Sequence, residues 1–348
     1  MKKEILIIDS TLRDGSHAIS HQLSAKNIAD YSVAAELAGI KILVVGHGNG
    51  LGASSLHLGT SAIPDGEMLK TAKKYLKKTK VSAFLIPGFG TIKDNLAPAL
   101  AIGIRALMVA SHCTEANVTR QHIEFAVKNN LETYGILMMS HMISATELLE
   151  QARLMESFGA TGVILMDSAG AYLPEDVKRK VSALVSGLKI DVGFHAHNNL
   201  GLAIANSLMA VQNGATIVDT TSRGFGAGAG NCQMEVLVAV LQKLGYETNL
   251  NLYKLMDISE EIVSGFMTHS QEINKMTLSS GLAGVFSGFA PHAQKAAEKY
   301  GVDVRDIFME LGKRHIVAGQ EDAIIDVAMN LKQTKEKTAE NFQIESLT

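Results

Sequence analysis

The chain has no tryptophan, five prolines and only two cysteines in 348 residues. Cys113 and Cys232 cannot build a disulfide framework, and no Cys-x-x-Cys pair supplies a zinc ribbon or redox motif. No run reaches about 18 uninterrupted apolar residues, the length a membrane-spanning helix needs. The start, Met1-Lys2-Lys3-Glu4, leads into a short strand-like run broken by Asp9. It lacks the apolar core of a signal peptide, so a reducing cytoplasm is the expected setting. There is also no excess of one charge: Lys+Arg 32 against Asp+Glu 35 leaves −3. Nucleic acids and anionic membranes need a clustered basic surface, so neither is an expected partner.

What is present is apolar bulk. Hydrophobic residues make up 47% and charged residues 19%, enough to bury a large core. The length predicts about two domains, or one large barrel with an appendage. Short β-rich runs recur at residues 5–11, 42–45, 81–87, 106–110, 134–139, 163–166, 190–194 and 217–221. Most are continuously apolar, as strands buried on both faces read. Amphipathic helix patterns lie between them, such as 145–158 with Ser144 as N-cap. Strands alternating with helices in this number predict an α/β fold, a (β/α)8 TIM barrel. A doubly wound sheet is disfavoured, because Arg13-Asp14-Gly15-Ser16 after the first run is not a Gly-rich dinucleotide turn. Beyond about residue 250 the strand signal stops. Residues 256–271, 291–300, 304–314 and 320–332 read as helices, with a loop at 279–288. The expected division is a barrel over 1–262, a small helical domain over 263–334 and a frayed polar tail over 335–348.

In such a barrel, chemistry sits at the C-terminal ends of the strands. Arg13, Asp14 and His17 follow strand 1, His47 strand 2, His112 strand 4 and His141 strand 5. Asp167 and Ser168 end strand 6, His195 and His197 end strand 7, and Asp219 lies in strand 8. Six of the 12 histidines fall at such ends. His195-Ala196-His197 places both imidazoles on one face of a strand, within reach of one ion. By itself the pair is equally consistent with polar packing. Asp14, across the mouth, is a third donor, an anionic oxygen, or else a salt-bridge partner of Arg13 or a turn cap. Two imidazoles and a carboxylate suit Mn²⁺, Fe²⁺, Co²⁺ or Zn²⁺. The glycine-rich stretch 224–231, ending in Asn231, reads as an anion cradle at a helix start or as a plain turn. No lysine falls at a strand C-terminus, which disfavours an imine mechanism.

Taken together, these stretches resemble the 4-hydroxy-2-oxovalerate aldolases of meta-cleavage aromatic degradation. Those enzymes belong to a larger group of metal-dependent barrels that includes 3-hydroxy-3-methylglutaryl-CoA lyase and isopropylmalate synthase. The resemblance is carried by Thr11-Leu12-Arg13-Asp14-Gly15, His47-Gly48-Asn49-Gly50-Leu51, Ser111-His112-Cys113-Thr114-Glu115-Ala116 and Met138-Met139-Ser140-His141-Met142. It continues through Asp167-Ser168-Ala169-Gly170, Phe194-His195-Ala196-His197-Asn198-Asn199 and Gly319-Gln320-Glu321-Asp322, so it spans nearly the whole chain.

The resemblance implies that Asp14, His195 and His197 hold a divalent metal, usually Mn²⁺, with Co²⁺, Mg²⁺ or Zn²⁺ as the alternatives. It implies cleavage of a 4-hydroxy-2-oxo acid to pyruvate and an aldehyde through a metal-bound pyruvate enolate. Arg13 would steady the enolate and His17 would be the base on the 4-hydroxyl, a role suited to a group titrating near neutrality. Ser168 joins Arg13 and His195 against the substrate. His47, His112, His141, Asp167, Asn231 and Phe286 are expected around the pocket. The helical domain would dock an acylating acetaldehyde dehydrogenase, and an oligomer is expected. Two family tyrosines are replaced, by Leu282 and Phe286, and Ala318 stands where a glycine helps line an aldehyde tunnel. Three other readings compete: a related metal-enolate enzyme with another acceptor, such as an acyl-CoA; a metal-dependent hydrolase; and a non-catalytic subunit.

Overall fold

A computed structural model describes residues 4–317 and 319–345, with side chains through Lys337. Ala318, the tunnel position, lies outside the described residues, as do residues 1–3 and 346–348. Eight parallel strands close into a barrel in chain order. They are β1 Leu6–Asp9, β2 Ile42–Val44, β3 Lys80–Leu85, β4 Ala106–His112, β5 Glu132–Met138, β6 Gly162–Asp167, β7 Asp191–Ala196 and β8 Ile217–Thr220. The strands are mostly apolar because both faces are buried, with polar residues such as Lys80, Glu132, His195 and Asp219 among them. Ile8, Val44, Phe84, Met108, Ile136 and Ile164 fill the interior. Their alternates Ile7, Leu43, Val81, Leu107, Leu137 and Val163 pack outward against the helices.

The barrel helices are α1 Ala25–Ala38, α2 Asp65–Tyr75, α3 Ala97–Ile102, α4 Arg120–Lys128, α5 Ala145–Ser157, α6 Pro174–Gly187, α7 Ala203–Gln212 and α8 Met234–Lys243. Ser144 caps α5 as expected: its Oγ accepts the Glu147 N–H while the Glu147 side chain takes the Ser144 N–H. The chain continues through α9 Leu252–Asp257, α10 Lys275–Ala283, α11 Ala290–Tyr300, α12 Val304–Lys313 and α13 Asp322–Glu345. Helices α10 to α13 enclose a separate core around Val285, Phe289, Ile307, Phe308, Leu311 and Val327.

Three helical expectations change. The helix expected over 256–271 ends by Gly265, and 266–274 is irregular. Helix α10 then starts at Lys275, capped by Asn274, whose side chain accepts the N–H groups of Met276 and Thr277. The loop expected at 279–288 is half helix, because Gly281 does not break α10. A Cβ there would lie 2.9 Å from the Asn199 Cβ, so the glycine lets α10 approach the loop after β7. The tail from Lys335 is helical to Glu345 rather than frayed. No described helix is long and apolar enough to cross a membrane.

One buried carboxylate holds the β1 turn that begins the site. Asp9 accepts the Thr11 N–H at 2.9 Å, the Thr11 hydroxyl at 2.6 Å and the Tyr31 hydroxyl at 2.7 Å. Burial still pushes its pKa up to about 6, so each donor matters. Tyr31→Phe removes the donor that reaches Oδ2. It should lower unfolding stability by about 1–3 kcal/mol, read as a shift of the urea midpoint. An unchanged midpoint would mean that Thr11 alone suffices to hold Asp9.

Candidate metal and substrate site

Barrel closure sets β1 beside β8, two strands from β7. Asp14 is therefore a close neighbour of the histidine pair, not a group across the mouth. Its Oδ2 lies 3.4 Å from His197 Nε2. One ligand atom from each of Asp14, His195 and His197 falls within 4.8 Å of the others, and all three residues are buried. Asn231, carried in by the glycine-rich loop, donates from Nδ2 to Asp14 Oδ2. Several amides of that loop bond internally, Gly230 to Ala227 and Asn231 to Gly224, and Ala229 N–H goes to Asn199 Oδ1. This favours the turn reading over an anion cradle.

The histidine tautomers follow from their partners. His195 Nδ1 is 2.7 Å from Asp219 Oδ2, and Asp219 is held in turn by the Ser10 hydroxyl at 2.7 Å. His197 Nδ1 is 2.9 Å from the Ser168 carbonyl. A carbonyl only accepts, so His197 carries its proton on Nδ1 when neutral. The Asp219 carboxylate selects the same tautomer for His195. Both Nε2 atoms are buried without a hydrogen-bond partner. The His197 Nε2 lone pair thus faces the Asp14 carboxylate, an arrangement that calls for a proton or a cation between them. Burial opposes charge on Asp14, yet Arg13 and then His197 hold its pKa well below the usual range. Two imidazole lone pairs and a carboxylate oxygen that converge in this way could hold one divalent ion.

Arg13 lies against this group. Its Nη1 donates to Asp14 Oδ1 at 2.8 Å and to the Gly48 carbonyl at 3.3 Å. Its guanidinium sits 4.4 Å from the Phe84 ring centroid. Nε and Nη2 are buried without hydrogen-bond partners, although Nη2 is 3.9 Å from Asp219. Such donors suit an anionic oxygen.

His17 is half-buried and lines a cavity of about 640 Å³ between the barrel mouth and the helical region. Asn49, Gly226, Phe286, His292 and Lys295 line it too. Burial pushes the His17 pKa down to about 4, with Asp14 opposing and Arg13 reinforcing. The expected titration near neutrality is therefore corrected: the ring is neutral well below pH 6.5. A Cβ on Gly48 would lie 2.4 Å from His17 Nε2, so that glycine makes room for the ring.

The remaining expected residues are spread around the mouth. His47 stacks on His21 at 3.6 Å, and His21 meets His17 edge-on at 5.0 Å. His112 pairs with the Thr114 hydroxyl at 2.8 Å and His141 with the Gly284 carbonyl at 2.9 Å. Among the described residues, neither bonds to the Asp14–His195–His197 group. Asp167 accepts the N–H groups of Ala171 and Tyr172 and serves the turn after β6. Ser168 meets His197 through its carbonyl, while its hydroxyl accepts the Met139 N–H. Leu282 is 70% exposed on α10 and does not line the cavity, so of the two replaced tyrosines only Phe286 faces it. The lysine argument holds for the strand ends alone, since Lys295 reaches the cavity from α11.

Sequence reasoning noted Asp219 in strand 8 without giving it a role, and did not assign Asn199, Ser287 or Gly48 to the site. Asp219 carried a signal, as a buried-strand carboxylate level with His195 across β7 and β8.

The HMGL-like family matches residues 4–262, and the DmpG-like communication domain matches residues 271–333. A 4-hydroxy-2-oxovalerate aldolase of Pectobacterium atrosepticum is 52% identical, covering 99% of this chain and 100% of its own. The enzyme of that name from Carboxydothermus hydrogenoformans is 51% identical, over 97% and 100%. Among solved structures, the carboxyl transferase domain of Rhizobium etli pyruvate carboxylase with pyruvate and biocytin superposes with a TM-score of 0.80. It is 17% identical, over 96% of this chain and 61% of that one, a likeness of fold alone. The HMG-CoA lyase of Bacillus subtilis superposes at 0.66 with 20% identity, over 76% and 95%. By its match to the HMGL-like family and to relatives about half identical over nearly their full length, the chain belongs to the 4-hydroxy-2-oxovalerate aldolase family.

Proposed function

We propose that this chain is a divalent-metal-dependent lyase that cleaves a 4-hydroxy-2-oxo acid, such as 4-hydroxy-2-oxovalerate, to pyruvate and an aldehyde. The observation that carries this is the convergence of two unpartnered imidazole Nε2 atoms and the Asp14 carboxylate beside a buried guanidinium with free donors. Asp14, His195 and His197 would hold the ion, with Mn²⁺ first and Co²⁺, Mg²⁺ or Zn²⁺ as alternatives. When bound, it supplies Lewis-acid polarisation of the substrate's keto group.

The residues divide the rest of the work. His17, neutral and open to the cavity, takes the proton of the 4-hydroxyl. The O–H electrons form the aldehyde carbonyl as the C3–C4 bond breaks. The C3–C4 electrons pass to C2–C3 and leave an enolate of pyruvate, which becomes pyruvate on protonation at C3. Negative charge grows on the C2 oxygen, where the fixed donors of Arg13 stabilise it without reorganisation. Ser168 sits behind these residues with its carbonyl against His197, and His47, His112, His141, Asp167 and Asn231 would support the loops around the site. Phe286, which lines the cavity, would face the aldehyde end. The family match over 271–333 supports docking of an acylating aldehyde dehydrogenase on the helical region. The free, buried Cys113 and Cys232 suit a reducing cytoplasm.

The test is pyruvate release from 4-hydroxy-2-oxovalerate by chelator-treated protein reloaded with Mn²⁺. Activity should vanish on chelation and return on reloading; release that ignores the metal would sink the reading. His195→Ala should lose metal binding and turnover together. Arg13→Ala should keep the metal and lose about 10²–10³-fold in kcat. A near-parent rate would remove Arg13 from the enolate role.

Gly48→Ala probes His17 without touching its chemistry. The backbone at position 48 is not left-handed, and the atoms nearest the added methyl are those of the His17 ring. Turnover should fall by about 10²-fold, as for a displaced catalytic group, with Mn²⁺ affinity retained. Equal loss of both would place the damage at the metal instead.

The pH dependence follows from the sign of the His17 shift. A base pushed down from 6.5 to about 4 stays unprotonated as pH falls through 6.5. At saturating Mn²⁺, the acid limb of kcat/KM should therefore lie below pH 6.5. A limb at or above 6.5 would rule out His17 as the group it reports.

A further inference from the structure

Three loops and the helical region meet at one backbone carbonyl. The Ser168 carbonyl, just after β6, accepts Nδ1–H of His197 at 2.9 Å. The same oxygen accepts the Ser287 hydroxyl at 3.0 Å and the Ser287 N–H at 3.3 Å. Ser287 lies 119 positions along the chain, in the turn after α10, and is 1% exposed. Its hydroxyl oxygen in turn accepts Asn199 Nδ2 at 2.8 Å. Asn199 also donates to the Ala169 carbonyl at 2.9 Å and accepts the Ala229 N–H at 2.9 Å. The packing leaves no slack, since a Cβ on Gly228 would lie 2.6 Å from Asn199 Oδ1 and 3.1 Å from the Ser287 Cβ.

We propose that Ser287 is a positioning residue for His197, so that the helical region helps to aim a ligand of the metal held in the barrel. This rests on the metal reading above. The Nδ1–H bond fixes both the tautomer and the rotation of the His197 ring, and so the direction of Nε2. That bond is only as fixed as the carbonyl it meets. Ser168 leads into a turn, where a peptide plane rotates unless held. Two donors from one buried residue hold it, and with His197 they place three donors on an oxygen with two lone pairs, so one lone pair is shared. The two ligands differ in this respect. His195 is aimed by Asp219 and Ser10, both within the barrel. His197 is aimed by a carbonyl whose direction is set from outside it. Loss of Ser287 should therefore weaken the metal site without abolishing it.

The experiment titrates Mn²⁺ into the chelator-stripped full-length chain and reads free Mn²⁺ by electron paramagnetic resonance. Ser287→Ala should raise the Mn²⁺ Kd about tenfold, the low end for removing an outer-shell partner. Ser280→Ala is the comparison. Ser280 is also buried in the helical region, but its hydroxyl donates to Val285 within that region. It should lower the melting temperature and leave the Kd at the parent value. A parent-like Kd for Ser287→Ala would overturn the proposal. So would equal weakening in both variants, which would make the effect one of domain stability. If Ser287→Ala does not fold, Ser287→Cys keeps the N–H, weakens the side-chain donor and carries the same measurement. An unaltered chain that binds no Mn²⁺ would sink the metal reading itself, and this proposal with it.

Discussion

The site depends on two hydrogen bonds that leave something unmade. His195 and His197 each bond through Nδ1, one to a carboxylate and one to a carbonyl. That leaves two Nε2 atoms buried without a hydrogen-bond partner, the one on His197 lying 3.4 Å from Asp14. A buried acceptor without a donor costs about 1–3 kcal/mol, and a folded chain seldom keeps two side by side. Asp219 and Ser10 behind His195, and Ser168 and Ser287 behind His197, hold the arrangement against relaxation. The geometry could serve as a socket for a cation, and between His197 and Asp14 a proton would also satisfy it, since Asp14 raises the His197 pKa against the cost of burial.

Charge placement follows from that socket. Arg13 sits between two carboxylates, 2.8 Å from Asp14 and 3.9 Å from Asp219. It lowers the Asp14 pKa and also works against protonation of His17. The buried guanidinium thus favours the ionised form of Asp14, and it adds to burial, the larger cause, in keeping His17 neutral. His21 and His47 extend the neutral imidazoles outward. His47 accepts the Asn49 N–H on Nδ1 and so donates from Nε2 to the Gly59 carbonyl.

Much of this was legible in the residues, for reasons that also explain the exceptions. Strands buried on both faces leave apolar runs, so all eight were found, with ends displaced by a residue or two. Strand ends point to the barrel mouth, so Arg13, Asp14, His17, His195 and His197 could be grouped before any coordinates. Proximity that depends on closure could not be read: Asp14 was placed across the mouth, whereas β8 brings it beside β7. Helix α10 was hidden because Gly281 resembles a breaker, yet its missing side chain serves contact with Asn199. Partners far apart in sequence left no trace, as with Asn199 and Ser287, 88 positions apart. The low pKa of His17 was equally out of reach, because it comes from burial and from Arg13 rather than from residue type.

The helical region is joined to the barrel at the places where the site is built. Ser287 meets the Ser168 carbonyl, His141 meets Gly284 at the end of α10, and His57 meets Glu321 at 3.3 Å just before α13. Gly281 brings α10 onto the loop that carries Asn199, and Phe286 closes one side of the cavity. These contacts fall on the loops after β2, β5, β6 and β7. The bottom of the barrel, where Lys80 pairs with Glu132, shares none of them. A region with its own hydrophobic core could have packed against any face of a barrel. Its seat on the mouth of the barrel gives the cavity a second wall and the Asp14–His195–His197 group a second support through Ser287, so anything that moves α10 must act on both.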